Sequence, residues 1–143
     1  MSSSYPAPER FRMFPYHFAA VVAANSTVTL EQQINRDCTV ERIMARFYPG
    51  QQLALHVEIF RVTTTGDVHS LIHYPAGGKG YLDGNDDVLE FELSEAVYGS
   101  EGEFLRVVMT NTDVTYSYDA LVDITVDYAN GPLPREAMYL GVS

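Results

Sequence analysis

The chain has 143 residues, a length that fits one domain of roughly 100 to 150 residues around a single core. Hydrophobic residues at 46% and charged residues at 20% match an ordinary globular composition and exclude a disordered or membrane-spanning chain. Nineteen acids against nine Lys and Arg leave a formal net charge of -10, which opposes phosphate backbones and excludes nucleic acid as a partner, while the single cysteine, Cys38, excludes an internal disulfide and a cysteine-rich zinc site.

Residues 1–15 hold Pro6, Pro8 and Pro15 among Tyr5, Phe11, Met13 and Phe14. Proline disfavours sheet interiors, so this segment is expected to be an extended arm. Arg10 and Arg12 are not followed by an apolar run of secretory-signal length, and the longest apolar stretch, 18–24, falls far short of the roughly 20 residues that cross a bilayer as a helix. Neither export by a cleaved signal nor a membrane anchor is expected.

From residue 16 onward, strand patterns dominate. After a strand at 16–24, residues 26–35 alternate: Val28, Leu30 and Ile34 share one face, and Thr27, Thr29, Glu31 and Gln33 the other, the period of two that defines a half-buried strand. Residues 39–48 form the next. A helical turn at 41–45 is an alternative that Pro49-Gly50 would stop. Leu53, Leu55, Val57 and Ile59 oppose Ala54, His56, Glu58 and Phe60, and 68–74 is a further strand. In 88–93, Leu89, Phe91 and Leu93 oppose Glu90 and Glu92, whereas a helix would scatter the acids around its surface. After a strand at 103–110, residues 118–128 place Tyr118, Ala120, Val122, Ile124, Val126 and Tyr128 on one face. Asp119, Asp123, Thr125 and Asp127 lie on the other around Leu121, a face that must be wet or paired with cations. The final segment, 130–143, carries Pro132, Pro134, Met138, Tyr139 and Leu140 and reads as a second extended arm.

About eight strands at turn-rich spacing predict an all-β, antiparallel two-sheet sandwich of jelly-roll type, with a 1–15 arm, a 16–129 sandwich and a 130–143 arm. Charge is polarised along it. Residues 1–61 hold six arginines and five acids, whereas 62–143 hold fourteen acids and three bases. An arm bearing Arg10 and Arg12 would therefore be drawn to the acidic half of a neighbouring subunit.

The chemistry-bearing constellations are weak. His69 and His73 have zinc-helix spacing, but four residues of strand span roughly 13 Å, too far for one metal. The 83–87 loop, Asp-Gly-Asn-Asp-Asp, offers oxygen ligands for Ca²⁺ but lacks the EF-hand glycine and glutamate, and a turn explains it equally well. Gly77-Gly78-Lys79-Gly80 lacks the upstream glycine and the Ser or Thr of a phosphate loop. Gly99-Ser100-Glu101-Gly102 lacks nucleophile-elbow spacing. Cys38 reads as a small apolar filler at a strand start. No metal, no cofactor and no catalytic residue is expected, and the chain reads as a non-enzyme. Ten tyrosines, and no Trp, supply the stacking faces. Tyr48, Tyr74, Tyr81, Tyr98 and Tyr116, at strand ends or turns, either contact sugar or seal the ends of the core.

Three stretches carry a resemblance: Val-Glu-Arg-Ile-Met-Ala-Arg-Phe-Tyr-Pro-Gly at 40–50, Leu-Ala-Leu-His-Val-Glu-Ile-Phe at 53–60, and 88–128 with Asn-Thr-Asp-Val-Thr-Tyr-Ser-Tyr-Asp at 111–119. In style they resemble β-sandwich proteins of tailed-phage particles. That resemblance implies a virion location and a head decoration (cement) or tail accessory protein, built as a homo-oligomer on other virion proteins such as a major capsid protein. Arg10, Phe11, Arg12, Phe14, Met138 and Tyr139 are then the expected interaction residues. The alternative is a carbohydrate-binding or receptor-binding β-sandwich module that uses the loop tyrosines.

Overall fold

A computed structural model describes residues 13–51, 53–72 and 80–128, with residues 87 and 91–96 described in backbone only. Among the described residues there are eight strands: β1 (Met13–Val22), β2 (Thr27–Gln33), β3 (Cys38–Phe47), β4 (Leu55–Val62), β5 (Val68–Ser70), β6 (Asp87–Gly99), β7 (Phe104–Asn111) and β8 (Tyr118–Asp127). They form two four-stranded sheets, ordered β1-β8-β3-β6 and β2-β7-β4-β5, with every pairing antiparallel. The pairs β1·β8, β2·β7, β3·β6 and β4·β5 nest like one long hairpin rolled up into a two-sheet sandwich.

The period-two faces locate the core. Ala120, Val122, Ile124 and Val126 of β8 are buried against Leu55, Val57 and Ile59 of β4 and Leu105, Val107 and Met109 of β7, in one apolar cluster between the sheets. In β3 the inward set is Cys38, Val40, Ile43, Ala45 and Phe47, whose spacing breaks between Val40 and Ile43. A bulge between Val40 and Arg42 supplies the extra residue, and it, rather than a helical turn at 41–45, restores the phase. On the outer face of β8, Asp123 bonds His17 of β1 at 2.6 Å.

Three boundaries depart from the sequence expectation. Met13, Phe14 and Pro15 pair with Asp127, Val126 and Thr125, so β1 begins inside the segment assigned to the arm. Proline is tolerated there because, among the described residues, β1 is an edge strand. Leu53 is not the first inward residue of β4: it lies outside the strand, mostly exposed, with φ 67°. The strand expected at 68–74 is reduced to the three residues of β5, after which Leu71 and Ile72 turn into the core. A short edge strand offers little template for pairing with another chain.

At the sandwich end where β1 starts, Tyr16 and Tyr128 join hydroxyls at 3.1 Å, and the Tyr16 hydroxyl also accepts the Asn35 amide. Here tyrosines do seal the core. Gly99 is needed nearby, since a Cβ would stand 2.7 Å from Ile34 Cδ1 and 3.2 Å from Cys38 Sγ.

Cys38 fills the strand start as expected. Burial pushes its thiol from the ordinary 9.0 up to about 11, partly offset by a hydrogen bond with the Gly99 backbone. The folded chain therefore keeps this proton where the unfolded chain releases it, and stability falls as pH rises from 9 toward 11. Two pH units correspond to roughly 2 to 3 kcal/mol. Urea titrations at pH 8, 9, 10 and 11 are expected to show this loss, and Cys38→Ala is expected to flatten its part of the profile.

Candidate functional site

Antiparallel alternation brings the β1–β2, β3–β4, β5–β6 and β7–β8 loops to one end of the sandwich. Backbone and side-chain bonds tie them together. Asn25 N donates to Asp113 O at 2.8 Å, Asn111 N to Ser26 O at 2.9 Å and Thr112 N to Ala54 O at 2.9 Å. Thr112 Oγ1 doubles the last bond at 2.7 Å. The β3–β4 and β5–β6 loops are joined by Gly50 N to Asn85 Oδ1 at 2.9 Å and by Asp86 N to Tyr48 O at 3.3 Å. The 83–87 loop thus spends Asn85 on its neighbour as a turn does. Among the described residues, no group of three or more His, Cys, Asp or Glu is placed to hold a metal ion.

The same end concentrates backbone strain. Among the described residues the non-glycine positive-φ positions are Asn25 (52°), Leu53 (67°) and Asp86 (59°), one in each of three of these loops. Asn and Asp enter the left-handed region readily, but a leucine there costs roughly 1 to 2 kcal/mol. Leu53 also exposes its side chain, as do Val114 and Tyr116 in the β7–β8 loop. Leu53→Gly is expected to raise stability by about 1 kcal/mol by relieving this strain, read as a higher urea midpoint. A lower midpoint would show that the leucine side chain holds its loop.

Between the β3–β4 and β7–β8 loops lies a groove of about 490 Å³, lined by Tyr48, Gln51, Asp113, Tyr116, Tyr118 and Asp119, with Pro49, Gly50 and Ser117. Asp113 organises one wall. Its Oδ1 accepts Thr115 N at 2.7 Å and Tyr116 N at 3.1 Å, and its Oδ2 accepts the Tyr118 hydroxyl at 2.8 Å. The Thr115 amide, the Tyr118 hydroxyl and the Tyr116 amide hold its carboxyl below the ordinary 3.8, and the same bond to Asp113 raises Tyr118. Buried Asn111 braces this loop from behind, donating Nδ2 to Val22 O at 3.1 Å and Tyr116 O at 2.8 Å and accepting Asp113 N at 2.9 Å. Tyr48 belongs to the other wall, and the Arg46 guanidinium, itself outside the lining, lies 5.2 Å from its ring centroid. Gln51, almost fully buried, donates Nε2 to Asp119 O, and its Oε1 has no hydrogen-bond partner among the described residues. An orphaned buried acceptor costs roughly 1 to 3 kcal/mol.

Of the tyrosines singled out in the sequence, the structure brings Tyr48 and Tyr116 to this groove. Tyr81 instead stacks on His56, with centroids 3.9 Å apart. Tyr98, half exposed, sits at the far end of β6 opposite Thr39. Tyr74 lies outside the described residues. Of the expected interaction residues only Phe14 is described, and its ring packs edge-on against Tyr16 at 4.9 Å and parallel to Tyr128 at 5.9 Å. Arg10, Phe11, Arg12, Met138 and Tyr139 lie outside the described residues, as do His73 and 77–79. Sequence reasoning missed Gln51, Asn111, Asp113 and Asp119. The Asn-Thr-Asp run at 111–113 carries a local signal, because Asx side chains cap backbone amides two residues on; nothing local marks Gln51.

The strand order and this end can be set against known structures. The chain shares its fold with a viral capsid protein. VP2 of the infectious bursal disease virus subviral particle superposes with a TM-score of 0.50 at 14% identity, covering 85% of this chain and 34% of VP2. A mitogen derived from Yersinia pseudotuberculosis aligns with a TM-score of 0.49 at 11% identity, covering 78% of this chain and 85% of the mitogen. No protein-family model matches the chain, and no curated protein matches it. Identities this low carry the fold and leave function to the site. The likeness extends to a viral capsid β-sandwich and does not single out tailed-phage particles.

Proposed function

We propose that this protein is a structural component of a virus particle, a head decoration protein that binds the capsid surface and joins subunits. Its work on this reading is binding rather than catalysis. The observation that supports the reading is the two-sheet β-sandwich fold, which superposes on VP2 of a subviral particle. The cross-bonded loop end adds to it. Exposed Leu53, Val114 and Tyr116 stand there on loops held by their neighbours, and a braced apolar surface loses less entropy on docking than a mobile one.

The mechanism is additive burial. A rigid sandwich presents its loop end, while residues 1–12 and 130–143 reach neighbouring copies, with Arg10 and Arg12 drawn to the acid-rich half of the chain. A weak single contact becomes firm attachment when repeated over a symmetric lattice.

Removing residues 1–12 tests this and spares β1, which starts at Met13. The shortened chain is expected to fold with an unchanged urea midpoint, to sediment as a monomer and to cosediment weakly with particles of the major capsid protein encoded in the same genome. The full chain is expected to oligomerise and to sediment with those particles. Failure of the full chain to bind them overturns the decoration reading, and full binding by the shortened chain removes the N-terminal arm from the mechanism.

A further inference from the structure

We propose that the groove between the β3–β4 and β7–β8 loops is a binding site for a neutral saccharide. This goes beyond the lattice role and does not depend on it. The groove's size lies within the range of small-ligand sites and gives room for one or two sugar rings. Its chemistry narrows the class of guest. Aromatic rings of Tyr48, Tyr116 and Tyr118 line it together with the acceptors Asp113, Asp119 and Gln51. Sugars present both complements, a C–H face that packs on an aromatic ring and hydroxyls that donate to carboxylate or amide oxygens.

Anionic guests fit poorly. None of the lining residues is basic, and two are carboxylates, one of them, Asp113, bound by three donors that favour its ionised form. Sulfate, phosphate and sialylated sugars would meet the negative charge of Asp113 and Asp119.

Cationic guests fit less well than neutral ones. Asp113 is already served by two amides and a hydroxyl, so it has less need of a cation. The Arg46 guanidinium already lies over the Tyr48 ring, and a second cation brought to that ring would meet like charge. The Asp113 and Asp119 carboxylates accept hydrogen bonds, and the hydroxyls of a neutral sugar donate them. Tyr116 is well exposed, and its backbone is held by Asp113 and Asn111. Its ring is thus positioned without being covered, as a stacking platform requires.

Saturation-transfer NMR on the full chain tests the site. The probes are glucose, galactose, mannose, N-acetylglucosamine and their disaccharides, with sialyllactose and an arginine- and lysine-containing peptide as charged comparators. At least one neutral sugar is expected to show saturation transfer, with binding weakened about tenfold or more by Tyr116→Ala and by Asp119→Asn. Tyr81→Ala, at a ring outside the groove, is expected to leave binding unchanged, and matched urea midpoints for all three variants separate lost contact from lost fold. The proposal is overturned if no neutral sugar binds, if only the peptide or sialyllactose binds, or if binding survives both groove substitutions.

Discussion

Asn111→Ala is expected to lower stability by about 3 kcal/mol and to abolish whatever the groove binds. The side chain is buried and makes three hydrogen bonds, to Val22 O, Tyr116 O and Asp113 N. Its removal leaves two carbonyls and one amide without their partners, at roughly 1 kcal/mol each. For a domain of this size that corresponds to a melting temperature about 10 °C lower. The loop so released carries Asp113, Tyr116 and Ser117 and leads into Tyr118 of β8, four of the nine residues that line the groove. Asn111→Asp separates the two directions of bonding. It keeps an acceptor for Asp113 N but sets a carboxylate against two carbonyls, so its deficit at neutral pH is expected to match or exceed that of alanine. Protonation restores one donor, so raised acidity should shrink the aspartate deficit relative to alanine. Equal midpoints at every pH would show that the carbonyl contacts contribute little.

A loss of similar size is expected at the opposite end of the sandwich for Glu103→Ala. Glu103 Oε1 accepts Arg61 Nη1 and Ser100 N, each at 3.0 Å, with both charged side chains largely withdrawn from solvent. Its backbone meanwhile pairs with Ile34 and Ser100. Cutting away the carboxylate leaves a largely buried guanidinium whose Nε already lacks a partner among the described residues. Breaking one side of a buried pair costs more than the pair itself contributes. Allowing for the exposure that remains, the expected loss is about 2 to 3 kcal/mol, read from urea midpoints. Glu103→Gln is expected to lose less, because an amide oxygen still accepts from Ser100 N and Arg61. The double substitution Arg61→Met with Glu103→Leu is expected to recover most of the loss. A deficit in the double variant as large as in Glu103→Ala would show that the charge left behind is not the cause.

These two positions differ in how much of them a linear reading can show. Asn111 stands at the head of an Asn-x-Asp run whose turn-forming tendency is local, so a turn there is legible, although its reach to Val22, 89 residues away, is not. Arg61 and Glu103 look like ordinary surface charges in sequence. Only the pairing of β4 with β7, which sets Arg61 opposite Leu105, brings them together. The strand faces were legible for the same reason that the first turn was: Ala120, Val122, Ile124 and Val126 alternate with polar residues, and that period requires no knowledge of a partner strand. Where alternation was followed too literally it misled. Leu53 continues the phase of Leu55, yet the backbone turns through a positive φ before β4 begins. Phe14 and Pro15 look unlike a strand, yet an edge position accepts them.

The sequence by itself therefore determined an all-β chain, the inward faces of most of its strands and an acidic second half. Tertiary structure alone decided the strand order and the groove. The physical reason lies in the range of each interaction. Side-chain alternation depends on successive residues, so it is written locally. The nested pairing places β1 against β8 and β2 against β7, and it sets Tyr48 and Gln51 across from Asp113 and Tyr116 through contacts between residues far apart in the chain. Neither set carries a local mark of the other, and the groove exists only where the rolled sheet closes them together.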